Sequence, residues 1–207
     1  FEMSFVHQDD VMAIVEELYK RIVNETAPNA TIPETFTHLT YAESMDRFGS
    51  DKPDLRFGME LTTITETAAT SGARVFQTVA SSGGSIRGFV ARGCGNYGRR
   101  QTDDLTEFAK SSGAQGLVFI ALDESAASID ALEDDHIKSP LKKFLSLDII
   151  KKIATEMGAE PGDLLLVVAG TEKLVNTVLS NLRNEMAKRL ELADPNEFAF
   201  AWVYDFP

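Results

Sequence analysis

Five arginines, Arg74, Arg87, Arg92, Arg99 and Arg100, fall between Ala73 and Thr102 with no aspartate or glutamate among them. Guanidinium groups near glycine turns suit a phosphate backbone, and Tyr97 in the same window offers a ring on which a base or ribose can stack. The same arginines would serve equally as charge on a solvated sheet edge, blocking edge-to-edge pairing. The chain as a whole carries a net charge of −12. That argues against general nucleic-acid affinity and leaves this window as the place with the right sign.

Within the window, "GCGNYG" from Gly93 to Gly98 is a literal G-x-G-x-x-G after a strand-like run and before a helix-like one. In a dinucleotide site such glycines bring the backbone up to a pyrophosphate. Here the preceding run carries Arg87 and Arg92, whereas a central parallel strand should be almost wholly apolar. The following apolar periodicity starts only at Leu105, too late for a helix that opens at the glycines. The competing reading is a plain glycine-rich connection.

The remaining candidates are dispersed. Asp9-Asp10 and Asp103-Asp104 sit where helices should start, so the helix dipole accounts for them. Asp134-Asp135 lie beside His136 in an acidic run, and His7, His38 and His136 show no metal-ligand spacing. No serine elbow, phosphate-binding loop or cysteine-based zinc pattern occurs, and Cys94 reads as an ordinary small residue. In "FEMSFV", Glu2 and Ser4 share one strand face, either lining a cleft or exposed. "FGSDKPDLRFGMEL", residues 48 to 61, sets Asp51, Lys52, Asp54 and Arg56 around Pro53 between glycines, with neither strand nor helix periodicity. "AWVYDFP" carries Asp205 where a strand leaves its sheet.

These residues need elements to hold them. At 207 residues, 43% hydrophobic and 25% charged, the chain fits one large soluble domain or two small ones. No apolar run approaches the roughly 20 residues of a membrane span, and no signal peptide is apparent. One cysteine suits a reducing compartment. Strand-like apolar runs at both ends suggest a piece of something larger.

The pattern predicts a strand at residues 1 to 6. A helix from about Gln8 to Glu25 follows, with Val11, Ile14, Val15, Leu18 and Ile22 on one stripe. "TFTHLT" reads as a strand, and Thr40 with Glu43 as a capping box for "YAESMDRF". A weak helix is predicted near Leu61 to Ala69. "ARVFQTVA" and "SIRGFVAR", joined by "SSGG", read as a hairpin. Then come a helix near Arg99 to Lys110, a strand "GLVFIAL" and an acidic loop over 123 to 138. "SPLKKFL" reads as a short helix capped by Ser139, and a second helix runs from Ser146 to Gly158. The strand "DLLLVVAG", a long helix after Thr171 and the strand "FAFAWVYDF" complete the chain. This predicts an α+β two-layer sandwich over 71–192, a mostly antiparallel sheet with helices on one face. Residues 1–70 and 193–207 read as flanks of another domain into which it is inserted.

Several segments together resemble one family, the bacterial-type aspartyl-tRNA synthetases. "EMSFV" looks like the continuation of that family's motif 2 strand. "FGSDKPDLRFGMEL", "RRQTDDLTEFAKSSGAQGLVFI", "SPLKKFL", "LRNEMAKRLEL" and "FAFAWVYDFP" match in the same order. The middle resembles the GAD domain, an insertion between class II motifs 2 and 3 with a β-β-α-β-β-α fold. The resemblance implies a parent that uses ATP and Mg2+ to attach aspartate to tRNA, works in the cytoplasm without a membrane and forms a homodimer. It also implies that motif 1, the ATP-holding groups of motif 2 and the motif 3 arginine lie outside these residues. No residue here is then catalytic, no metal or cofactor is bound by this stretch, and the stretch is inactive alone.

On that resemblance, Glu2, Ser4, Asp51, Lys52, Asp54, Arg56 and Asp205 are expected near the substrate pocket, the four loop residues bracing it by charge pairing. Arg87, Arg92, Tyr97, Arg99 and Arg100 become candidates for weak tRNA contact, and the rest of the catalytic domain the other partner. The alternative is a purely structural or protein-docking insert with no tRNA contact. A free-standing small-ligand domain fits the flanks poorly.

Overall fold

The computed structural model describes residues 1–207. In chain order the elements are α1 (Gln8–Thr26), β1 (Thr37–Thr40), α2 (Tyr41–Phe48), β2 (Thr62–Thr63), α3 (Thr65–Ala69), α4 (Arg74–Ser81) and β3 (Ser85–Ala91). They continue with α5 (Arg99–Ser111), β4 (Val118–Leu122), a 3-10 turn at Asp134–His136, β5 (Ile137–Lys138), α6 (Leu147–Glu156), β6 (Leu164–Gly170), α7 (Glu172–Arg189) and β7 (Ala201–Tyr204). Five strands form one sheet in the order β2-β3-β6-β4-β5, every neighbour antiparallel. β1 and β7 form a separate two-stranded parallel pair, with Thr37 opposite Ala201 and Thr40 opposite Tyr204.

The sheet is covered on both faces, which corrects the two-layer expectation. The cause is visible in β6, whose "LLLVV" alternates into two cores rather than one. Leu165 and Val167 join Phe76, Ile150 and Ile153, from α4 and α6. Leu164, Leu166 and Val168 join Leu105, Val175, Val178 and Leu182, from α5 and α7. An unbroken apolar strand is the pattern of a strand buried on both sides. The sheet also takes in Thr62–Thr63, which pairs with Gly88 and Arg87 ahead of the expected boundary at 71.

Three further local readings are corrected. "ARVFQTVA" forms α4 and not the first strand of a hairpin. Ala73 and Phe76 are buried while Val75 is exposed, a spacing of three that strand alternation cannot produce. "SSGG" therefore ends a helix: Gly84 N–H donates to the Val79 carbonyl at 2.9 Å, with Gly83 in the left-handed region at φ 72°. "SPLKKFL" is a series of turns rather than a helix, with Leu141 accepting from both Phe144 and Leu145. Residues 1 to 6 make no strand, and Phe5 is fully exposed.

The capping box at Thr40 forms as expected. Glu43 N–H donates to Thr40 Oγ1 at 3.2 Å and Thr40 N–H to Glu43 Oε2 at 2.8 Å. It fixes where α2 starts.

Candidate functional site

The loop at 48–61 is held from the sheet side by two arginines. α2 ends at Gly49, whose φ of 69° is left-handed. A Cβ there would lie 2.6 Å from the Asn176 carbonyl oxygen of α7, so only glycine lets the helix end approach this closely. Ser44, fully buried, donates from Oγ to the Ser50 carbonyl at 2.6 Å. Arg87 of β3 then reaches the same end. Its Nη1 donates to Asn176 Oδ1 at 2.6 Å and its Nη2 to Asp46 Oδ1 at 2.9 Å. Nη2 also donates to the Asp46 carbonyl, and Nη1 to that of Met45. These are last-turn carbonyls of α2, at its negative dipole end; that of Met45 also accepts from the Gly49 amide at 3.0 Å.

Arg183 of α7 performs the larger part. It is 1% exposed, and its Nη2 donates to the carbonyls of Asp54, Phe57 and Gly58 at 2.8, 3.0 and 3.0 Å. Nε donates to Gly58 at 3.2 Å. The guanidinium lies over the Phe48 and Phe57 rings at 4.8 and 4.3 Å from their centroids. Burial pulls its pKa down to about 10 against the opposing pull of Asp54 and Glu60, so it is charged at neutral pH. A buried cation without these acceptors would be strongly unfavourable. The loop backbone is thus wrapped around an ion.

Charge pairs finish the loop. Arg56 clasps Asp54 with two bonds, Nε to Oδ1 at 3.0 Å and Nη2 to Oδ2 at 2.7 Å. Arg56 Nη1 also donates to the Asp194 carbonyl at 3.3 Å, tying the loop to the segment after α7. Arg47 and Glu60 form a second two-pronged pair across the loop mouth at 2.9 and 2.6 Å. Lys52, Asp54, Arg56 and Phe57 face Lys188 and Asp194 across an open cleft of about 870 Å3. Asp51 lies apart from them, lining a neighbouring cleft with Tyr41 and Asn176. Glu2, Ser4 and Asp205 are exposed and line neither. So Lys52, Asp54 and Arg56 come together, while Glu2, Ser4, Asp51 and Asp205 do not join them.

The arginine window is divided as well. Arg87 is 3% exposed, which removes it from any surface that could meet a phosphate. Arg92 donates from Nη1 to Asp163 at 2.6 Å and from Nη2 to the Gly158 carbonyl at 2.8 Å. Asp163, itself buried, also accepts from the Gly93 and Glu160 amides. Arg99 and Arg100 open α5 and are exposed; the nearest acid to Arg99 is Asp103 at 3.6 Å. Tyr97 is half-buried and packs on the α5–α7 core. Burial pushes up both its phenol and the Cys94 thiol beside it, so Cys94 is a poor nucleophile at neutral pH.

The glycines of "GCGNYG" have a packing cause. Gly95 N–H donates to the Gly162 carbonyl at 2.7 Å. A Cβ on Gly95 would fall 2.2 Å from the Leu122 carbonyl oxygen, so glycine is required there by the close approach of the neighbouring backbone. Sequence reasoning missed Arg183, Arg47 and Glu60. A signal existed for Arg183: it stands four residues after Leu179 and three before Met186, on the apolar stripe of its helix.

Residues 76–179 match the GAD domain family. Over 206 residues the chain is 45% identical to the aspartate–tRNA(Asp/Asn) ligase of Dehalococcoides mccartyi strain CBDB1, covering all of this chain and 34% of that protein. It is likewise 45% identical over 206 residues to the ligase of that name from Symbiobacterium thermophilum, covering 33% of it. With the aspartate–tRNA ligase of Clostridium novyi the identity is 44% over 207 residues, again 33% of the relative. The chain therefore spans about a third of the length of the curated relatives it matches.

Two outcomes test the clamp. Arg183→Met removes the shared donor of the Asp54, Phe57 and Gly58 carbonyls and is expected to lower stability by about 3 kcal/mol in urea unfolding. Arg183→Lys should not restore it, since an ammonium cannot reach the same fork of acceptors. Asp54 is held below the usual carboxylate range, chiefly by the Arg56 side chain and against the effect of burial. Its stabilisation is complete above the unfolded aspartate value of about 3.9 and disappears as pH falls through the lower folded value. Asp54→Asn should reduce stability at neutral pH and make the decline below about pH 4 shallower, as followed by acid titration of the unfolding midpoint.

Proposed function

This chain belongs to the GAD domain family, and from that premise we propose that it is the stretch of a bacterial-type aspartate–tRNA ligase in which the GAD domain interrupts the catalytic domain. The observation that carries this is the extent of the similarity. It runs at 45% over 206 residues, through the flanks as well as through the family match at 76–179. In this reading β2, β3, α5, β4, β6 and α7 are the β-β-α-β-β-α frame, with α3, α4, β5 and α6 added to it. The division at 70/71 and 192/193 is read on the same basis, with Thr62–Thr63 moved into the inserted domain because it pairs with β3. α1, α2, β1 and β7 are then catalytic-domain elements, and Arg87 and Arg183 hold the insert against them.

The parent reaction joins aspartate to ATP at the α-phosphate and then passes it to the tRNA 3′ end. ATP and Mg2+ are ligands of that parent, which is read as a cytoplasmic homodimer. No helix here is long and apolar enough to cross a membrane. ATP and Mg2+ are read as held by groups of the parent outside these residues; the glycine loop, whose Gly95 amide is engaged by the Gly162 carbonyl, is not read as a phosphate site. No chemical step is assigned to the residues of this chain. Glu2, Ser4, Asp51, Lys52, Asp54, Arg56 and Asp205 are read as surroundings of the parent's substrate pocket, and the cleft beside Arg56 as part of its border.

The insert's task in this reading is to pack on the core and help position tRNA, through Arg99 and Arg100 with Tyr97 and Arg92 beside them. A purely structural insert is the second reading. It is favoured by a specific observation: Arg87 is buried and Arg92 is engaged by Asp163 and Gly158, which leaves at the start of α5 only Arg99, 3.6 Å from Asp103, and Arg100 facing solvent.

Binding of an aspartate tRNA transcript, followed by anisotropy across a salt series, separates the two readings. Weak binding that falls with salt, and loses about tenfold in the Arg99→Ala/Arg100→Ala double variant, is expected for tRNA positioning. Binding that is absent at low salt, or indifferent to the double variant, leaves the structural role. The purified chain should show no aspartate-dependent pyrophosphate exchange; detectable exchange would overturn the assignment of the catalytic groups to the rest of the parent.

A further inference from the structure

On the face of the sheet covered by α4 and α6 the helical cover has a gap. α4 stands on one side and the 139–145 turns on the other, and between them lies a groove of about 670 Å3. Its floor is Val118, Val167 and Ala169, and its walls are Val75, Val79 and Leu141. Val75 is 44% exposed and Phe144, whose carbonyl accepts from Gly72 just before α4, is 53% exposed. An exposed apolar concavity of this kind marks a surface made to be covered.

The charge around it is uneven. At the α4 N-terminal end stand Arg74 and Lys143, both exposed and without an acidic partner, and Lys142, bonded only to the Asp134 carbonyl. At the other end, beside Gly83 and Gly84, the one acidic lining residue is Glu172. In a chain of net charge −12, free cations gathered at one end of an apolar groove call for an acidic end on whatever lies there.

A strand edge runs beside the groove. β4 pairs with β6 from Val118 to Ala121, but β5 reaches only Ala121 and Leu122. The outer edge of Val118–Ile120 has no strand against it. Continuing the register that sets Lys138 opposite Ala121 would bring Pro140 opposite Phe119, and proline has no N–H to donate. The chain's own strand must stop there, and the edge stays open to another.

We propose that this groove takes an extended acidic peptide segment of a partner protein. The segment adds to the outer edge of β4, seats one bulky apolar side chain between Val75 and Leu141, and sets Asp or Glu side chains against Arg74 and Lys143. Nucleic acid fits less well. Its phosphates need cations along the whole track, whereas here they stand at one end and Glu172 at the other. The proposal is independent of the tRNA reading, which concerns the first turn of α5.

Three fluorescein-labelled peptides test it in anisotropy titrations on the full chain: Asp-Glu-Asp-Phe-Ile-Val-Thr-Ser, the same with Lys-Arg-Lys at its start, and the acidic one with Ser-Gly-Ser replacing Phe-Ile-Val. The first is expected to bind at least about tenfold more tightly than the other two and to slow amide exchange at Leu117 to Phe119. Val75→Glu should lose that binding while thermal unfolding is unchanged, because the position is exposed. Arg74→Glu/Lys143→Glu should transfer the preference to the basic peptide. The proposal is overturned if none of the peptides binds, if all bind alike, if Val75→Glu is indifferent, or if a 12-residue uridine oligonucleotide binds in preference.

Discussion

A buried guanidinium is the constraint on which the rest of this structure depends. Arg183 leaves water entirely, and a cation can do so only where the surrounding atoms replace its hydration shell. The replacement comes from the backbone of residues 54–58 and the faces of Phe48 and Phe57. The loop cannot relax into a solvated turn without stranding the ion, and α7 cannot shift without losing the loop. Arg87 repeats the logic less completely one strand away, with Asp46 and Asn176 as partners of its terminal nitrogens and its buried Nε without an acceptor. Between them, the two arginines join the five-stranded sheet to the helix and loop that precede it.

This use of arginine changes the meaning of the charge pattern. A window of five arginines without an acid looks like a footprint for phosphates. Folding turns one of them inward and ties another to a buried aspartate, because a guanidinium is also the side chain best shaped to satisfy several carbonyls at once. What is left facing solvent is smaller and better defined: the pair that opens α5, and the separate cations beside the α4 groove. Two surfaces with different chemistry thus take the place of one diffuse basic patch.

The legible parts of the sequence were those where a local rule has one solution. Thr40 and Glu43 announce a capping box, and the apolar stripe along α7 has no strand reading. Asp54 and Arg56, two residues apart around a turn, could be paired on sight. Residues 73–80 were not legible, since β-branched and apolar residues there satisfy both periods and only the tertiary burial of Phe76 chooses between them. The second helical layer was written in the unbroken apolar run of β6, a signal that the hairpin reading of its neighbour obscured. The place of Arg183 on the apolar stripe of α7 was legible, but its role was not. Its partners are backbone carbonyls 125 to 129 residues away, and carbonyls carry no residue-type signature.

The central claim is that the α2 end, its loop and the sheet open together. Native-state hydrogen exchange tests it most directly, comparing Gly49 and Leu61, whose amides donate to the Met45 and Arg47 carbonyls, with Phe89 and Leu166 in the central strands. The account expects all four to exchange through one opening, with the same free energy and the same dependence on urea. Exchange at Gly49 and Leu61 through a smaller, urea-insensitive opening, while Phe89 and Leu166 stay protected, would contradict it.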